Sequence, residues 1–167
     1  FKYSNMREVN LISLVQAFKS LEAPLYNNYN KIFKIDPKND ELEDLESYIN
    51  KIKSIRNDIK LFDRFFIGYT IPQISKEFDL LRFGNDYVIN IELKSKNTGV
   101  KIKKQLLRNR YYLSFLGQEI YNFTYVSEEE KLYSLNDNQD IIEKDFYELV
   151  GLLLKQEIRE VSNIDVL

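Results

Sequence analysis

The sequence contains no cysteine and no histidine. That removes disulfides, cysteine nucleophiles, zinc fingers, histidine general bases and imidazole-bound metals together. Any chemistry must run on carboxylates, Lys, Tyr, Ser or Thr, and oxygen donors select a hard cation such as Mg²⁺, Mn²⁺ or Ca²⁺. Also missing is an apolar run near the roughly 18 to 20 residues that a bilayer-spanning helix needs. With no signal-peptide hydrophobic block either, the expected location is the cytoplasm, without a membrane partner. Net charge is small, 24 basic against 26 acidic residues, so a nucleic-acid face would have to come from local clustering. There is no internal repeat and no low-complexity tract.

What is present is enough for one domain with a real core, 167 residues of which 44% are hydrophobic. The start at Phe1 rather than Met is what a domain cut from a longer chain would show. Apolar positions from Met6 to Leu21 (Val9, Leu11, Ile12, Leu14, Val15, Phe18) recur at helical spacing, with Asn5 as a cap. Residues 22–39, with Pro24 and Pro37, read as a loop. A second helix follows over 41–60, striped by Leu42, Leu45, Ile49, Ile52, Ile55 and Ile59. Its acids come first and its bases last, complementing the helix dipole. Strands are predicted over 61–69, 74–83 and 87–95, the last two joined at Gly84-Asn85-Asp86. A helix over 100–116 ended by Gly117, a hairpin of 121–127 with 131–135, and a last helix from Asp140 to Arg159 complete the pattern. The order predicts an α/β (α+β) fold, a central mixed sheet of about five strands flanked by helices.

The chemistry-bearing stretch is 74–112. Alternation puts Val88, Asn90, Glu92 and Lys94 on one side of a strand, and Ile89, Ile91 and Leu93 on the other. Asp79 lies on the preceding strand, so a hairpin can bring Asp79 to Glu92. Two carboxylates on adjacent apolar strands are costly without a partner, and a divalent cation with a polarised water is one such partner. Lys94 can position the attacking water and stabilise charge on a phosphate. Lys94, Lys96, Lys101, Lys103, Lys104, Arg108 and Arg110 then fall between Leu93 and Gly117 without one acidic residue. That is a local anion-attracting surface in a nearly neutral chain. Gln105, Arg108 and Tyr112 recur at helical spacing there and are candidate backbone contacts.

Asp79, twelve residues, then Glu92-Leu93-Lys94 resembles the PD-(D/E)XK nuclease superfamily, the restriction-endonuclease-like fold. Its core is a helix, a three-strand meander, a crossing helix and a further strand. The resemblance covers roughly residues 41–126. It implies Asp79 and Glu92 as Mg²⁺ or Mn²⁺ ligands and catalytic residues, Lys94 as the catalytic lysine, and the Leu93 backbone carbonyl as a further ligand. It also implies a helix carboxylate, Glu46 or Glu43. The motif's nominal Pro is absent, since Glu77-Phe78 precedes Asp79. Some exonuclease branches carry Gln-x-x-x-Tyr in the crossing helix; here Asn109 follows Gln105, so only Gln105 carries over. The wording EFDLLRF, INIELKSK and KKQLLRNRYYL is also similar to nuclease-like domains at the N-termini of bacterial ATP-dependent helicases. That similarity implies a motor domain in the same longer chain or complex, DNA as substrate, and a role in DNA repair or defence. Two alternatives stand beside the nuclease: a nucleic-acid-binding module on the same fold without catalysis, and a protein-interaction domain.

Overall fold

The computed structural model describes residues 7–20 and 39–160. Its helices are α1 (Leu11–Ser20), α2 (Asn39–Ile55), α3 (Val100–Leu113) and α4 (Phe146–Lys155). Its strands are β1 (Phe66–Ile71), β2 (Lys76–Phe83), β3 (Tyr87–Lys94), β4 (Glu119–Val126), β5 (Lys131–Leu135) and β6 (Ile141–Lys144). They form one six-stranded sheet in the order β1-β2-β3-β4-β5-β6. Every neighbouring pair is antiparallel except β3 and β4, which run parallel with α3 as their crossover. A parallel pair cannot be closed by a tight turn, so a helix must return the chain to the starting edge.

Alternation along the strands divides the core in two. Leu80, Ile89, Ile91, Phe123 and Tyr125 face α1, α2 and α4, where Leu14, Phe18, Leu45, Ile49, Leu149 and Leu153 meet them. Phe66, Phe83 and Val88 face the other way, together with Leu113 of α3. Ile102 and Leu106 of α3 close over Val126. The α/β class with a central mixed sheet is therefore what the chain adopts. No helix among the described residues is long and apolar enough to cross a membrane.

Several boundaries differ from expectation, the second helix ending at Ile55 rather than at residue 60. The run from Leu61 to Tyr69 is not strand throughout: Asp58 caps a 3-10 turn at Ile59–Leu61, its carboxylate accepting from Lys60 N at 3.0 Å. Arg64 then turns the chain at φ +60, and the strand begins only at Phe66. The aromatic content of that run serves burial of Phe62 and Phe65, not strand pairing. The expected cap Asn5 lies outside the described residues; Asn10 accepts from Ser13 N at 3.1 Å and begins α1 instead. Most of the predicted 22–39 loop also lies outside them.

At the C-terminal end, Asp140 does not open a helix. Asn136 and Asp140 close a turn, Asp140 N donating to Asn136 Oδ1 at 2.9 Å. Ile141-Ile142, β-branched, then pairs with β5 as the sixth strand. The helix starts at Phe146, where Asp145 Oδ1 accepts from Tyr147 N at 2.9 Å.

One buried charge fastens this end to the sheet. Arg82 of β2 is fully buried on the α4 side. Its Nε donates to Gln156 Oε1 at 2.7 Å, and its guanidinium donates to the carbonyls of Lys60, Asp63 and Leu153. Gln156 Nε2 donates back to the carbonyls of Arg82 and Tyr87. Burial draws the Arg82 pKa down to about 10, so it stays charged at neutral pH.

Candidate active site

β2 and β3 pair in register from Phe83↔Val88 to Leu80↔Ile91. The next pair would be Asp79 with Glu92, and there the carboxylates replace the ladder. Asp79 N donates to Glu92 Oε2 at 2.9 Å, and Leu93 N donates to Asp79 Oδ2 at 2.9 Å. The alternation of β2 breaks at the same place. Phe78 joins Leu81 in the core beneath α3 while Leu80 lies in the opposite one. Facing Asp79 across β1, between Ile67↔Leu80 and Tyr69↔Phe78, is Gly68 with φ +61, a left-handed value that a side chain would disfavour. Strict alternation over 74–83 would put Phe78 on the Leu80 face, and this kink turns it to the other. In β3 the expected faces hold: Val88 joins the α3-side core, and Ile89, Ile91 and Leu93 join the other.

Glu92 is almost entirely buried, 1% exposed. Gln105 Nε2 of α3 donates to its Oε1 at 2.7 Å, and Asn90 Nδ2 donates to its Oε2 at 3.1 Å. Asn109, one turn after Gln105, donates in turn to Asn90 Oδ1 at 2.8 Å. A polar chain thus runs between α3 and β3, and the spacing Asn90/Glu92 on the strand matches Gln105/Asn109 on the helix. No basic side chain forms an ion pair with Glu92 or Asp79 among the described residues. Burial, followed by the Glu92 charge, pushes the Asp79 carboxyl up to about 8, with Leu93 N–H and Lys94 acting against the rise. Like charges in a low-dielectric pocket cannot both ionise cheaply.

Lys94 lies two residues beyond Glu92 on the same face, and its charge reaches Asp79. A second lysine, Lys76, is at the start of β2. Its Nζ donates to Glu77 O at 2.6 Å and lies 4.6 Å from the Phe78 ring centroid. Burial lowers its pKa against the pull of Glu92 and Asp79. Sequence reasoning missed Lys76, Asn90 and Asn109. Two polar residues on the Glu92 face of an otherwise apolar strand, and an amide one turn after Gln105, were the available signals; Lys76 had none.

Neither helix glutamate singled out lies within this constellation's hydrogen bonds. Glu46 pairs with Lys19 of α1, and Glu43 is exposed. From α2 it is Glu41 whose charge reaches the site's edge, raising Glu77 after burial does. Asp44, also on α2, is buried and accepts from Ser95 and Ser127 at 2.7 and 2.6 Å, which ties the helix to the ends of β3 and β4.

Of the basic set, Lys96, Lys101, Lys104 and Arg108 are exposed. Lys103 is half-buried and lies 3.9 Å from Asp140. Tyr112 packs against the core beneath α3 and makes an edge contact with Tyr111. Gln105 points inward to Glu92 rather than to solvent.

No group of three or more Asp or Glu side chains is arranged to hold a metal ion among the described residues. A Mg²⁺ needs fewer, since it binds through one or two carboxylates and keeps several waters. Asp79 Oδ1 takes no hydrogen bond among the described residues, and the mutual repulsion of Asp79 and Glu92 is what a cation relieves. The donor set therefore fits a hard divalent ion held by Asp79 and Glu92. No protein-family model matches the chain, and no curated protein and no solved structure matches it either.

Proposed function

We propose that this chain is a metal-dependent nuclease domain that hydrolyses phosphodiester bonds, with DNA as the preferred substrate. The observation that carries the reading is the opened β2–β3 ladder, where the Glu92 carboxylate accepts from Asp79 N, the Asp79 carboxylate accepts from Leu93 N, and no basic side chain among the described residues pairs with either. Its resemblance to the PD-(D/E)XK pattern rests on the same residues, in a sheet whose meander, crossing helix and parallel fourth strand suit that core. A Mg²⁺ or Mn²⁺ on this pair would polarise the phosphate and activate a water. Asp79 and Glu92 would hold the ion, the carbonyl of Leu93, next after Glu92 in the chain, would be a further donor, and Gln105 fixes the Glu92 carboxylate. Lys94 would orient the attacking water and donate to the phosphate oxygen as charge builds there. Lys96, Lys101, Lys104 and Arg108 would carry the flanking backbone. Attachment to a helicase or ATPase, a role in repair or defence, and a cytoplasmic setting belong to the same proposal.

The test is cleavage of single- and double-stranded DNA with Mg²⁺ or Mn²⁺. Glu92→Ala and Lys94→Ala should each abolish turnover; activity surviving in both would remove the assignment. A second reading has its own support. Both Glu92 oxygens are already hydrogen-bonded, as befits a nucleic-acid-binding module that no longer cuts. Calorimetric titration with Mn²⁺ separates the two, since such a module would bind no ion at Asp79 and Glu92.

A further inference from the structure

The exposed face of α3 is ordered along its length. Lys101, Lys104, Arg108, Tyr111 and, in the 3-10 turn that follows, Phe115 recur at alternating spacings of three and four, which aligns them in one stripe. All five are exposed, Tyr111 and Phe115 to 60% and 74%. The rings of Tyr111 and Phe115 meet edge to face at 5.4 Å, and Tyr111 meets the packed Tyr112 at 5.2 Å. Three cations thus run into an aromatic pair held from below.

Folding does not account for this order. α2 carries Asp40 and Glu41 in its first turn and Lys53 in its last, as the helix dipole favours. α3 opens with Lys101 and no acidic residue, and Gly99 before it provides no side-chain cap. Cations there oppose the dipole, and exposed aromatics gain nothing from the core. A local rule broken without a structural gain marks a binding surface.

We infer that this stripe is a track for single-stranded polynucleotide, with Lys101, Lys104 and Arg108 pairing the phosphates and Tyr111 and Phe115 stacking on unpaired bases. The inference rests on the nucleic-acid reading above and names its substrate class. A duplex offers phosphates to the cations but keeps its base faces stacked, leaving the aromatic end unused. The helix that carries the track also reaches the carboxylates, because Gln105, between Lys104 and Arg108, donates to Glu92 Oε1 at 2.7 Å.

Fluorescence anisotropy in EDTA tests it with labelled oligothymidylate and oligouridylate of about twelve nucleotides and a duplex of the same length. Single strands should bind at least about 10-fold tighter than the duplex. Tyr111→Ala with Phe115→Ala should weaken single-strand binding roughly 10- to 100-fold and leave the duplex within about 3-fold. Lys101→Gln, Lys104→Gln and Arg108→Gln together should weaken both and lower the single-strand salt slope by about 2. Tight binding of either sugar supports the track, and the tighter one identifies the natural strand. Equal affinity for duplex, indifference to the aromatic pair, or an aromatic pair that governs only self-association in sedimentation would overturn it. Single-strand preference without cleavage in Mg²⁺ keeps this inference and removes the nuclease. Cleavage without single-strand preference does the reverse.

Discussion

β2 and β3 carry two buried charged systems on opposite faces of the sheet, and they are built to opposite rules. Arg82 meets three backbone carbonyls and a glutamine oxygen, all fixed by the elements they join. Its positive charge faces only acceptors. Asp79 and Glu92 meet backbone and amide N–H groups, but they also meet each other, and no basic group among the described residues forms an ion pair with either. A charge saturated by fixed partners is a fastening. A pair left with excess like charge is a site waiting for a cation or a proton. Burial alone would not separate the two, since Arg82 and Glu92 are both almost wholly buried.

The largest effect that sharpens the contrast is on activity. Glu92→Gln keeps the size and an oxygen acceptor, so the fold should hold, while cleavage measured in Mg²⁺ should fall about 10³-fold or more. Arg82→Met should do the opposite. It leaves the carbonyls of Lys60 and Leu153 without donors and should cost about 3–5 kcal/mol in urea unfolding. Gly84→Ala reaches the same fastening from outside. An added Cβ would lie 2.6 Å from Gln156 Cγ and 2.8 Å from Tyr87 O. The expected loss is about 1–3 kcal/mol.

A smaller effect appears in the pH dependence of stability without metal. The Asp79 carboxyl, pushed up to about 8 in the fold, titrates near 4 when unfolded. Between those values the folded chain holds the proton and the unfolded chain does not. Stability should therefore fall as pH rises through that window. Asp79→Asn should flatten the fall and raise the melting temperature at pH 8 by a few degrees, for about 1–2 kcal/mol. An unchanged slope in that variant would show that the carboxylates are not coupled in this way. The smallest expected change is for Gln105→Ala, which frees Glu92 Oε1 and should weaken Mn²⁺ binding about 10-fold by loosening the ligand's orientation.

The contrast also explains what could be read from sequence. The meander, the crossing helix and the faces of β3 followed from periodicity, because one side of each element is buried against a helix. Asp79, Glu92 and Lys94 stood out because ionised groups in apolar strands need a reason. The kink at Asp79 did not show, since Gly68 opposite it is distant in sequence and Phe78 fits the alternation either way. Glu46 looked as suitable as any helix carboxylate, and only the packing of α1 on α2 shows it paired with Lys19. Ile141–Lys144 read as helix because Asp140 and Glu143 imitate a capping box, whereas pairing with β5 decides the outcome. Arg82 sat on an apolar face with nothing nearby in sequence to satisfy it. Its partners come from three other parts of the chain.

The most direct measurement is a calorimetric titration of Mn²⁺ into the wild-type chain and into Glu92→Gln at pH 8. One site should be filled in the wild type, with its affinity lowered at least about 10-fold by the substitution. Equal binding in both proteins, or none in the wild type, would contradict the assignment of Asp79 and Glu92 as a metal site.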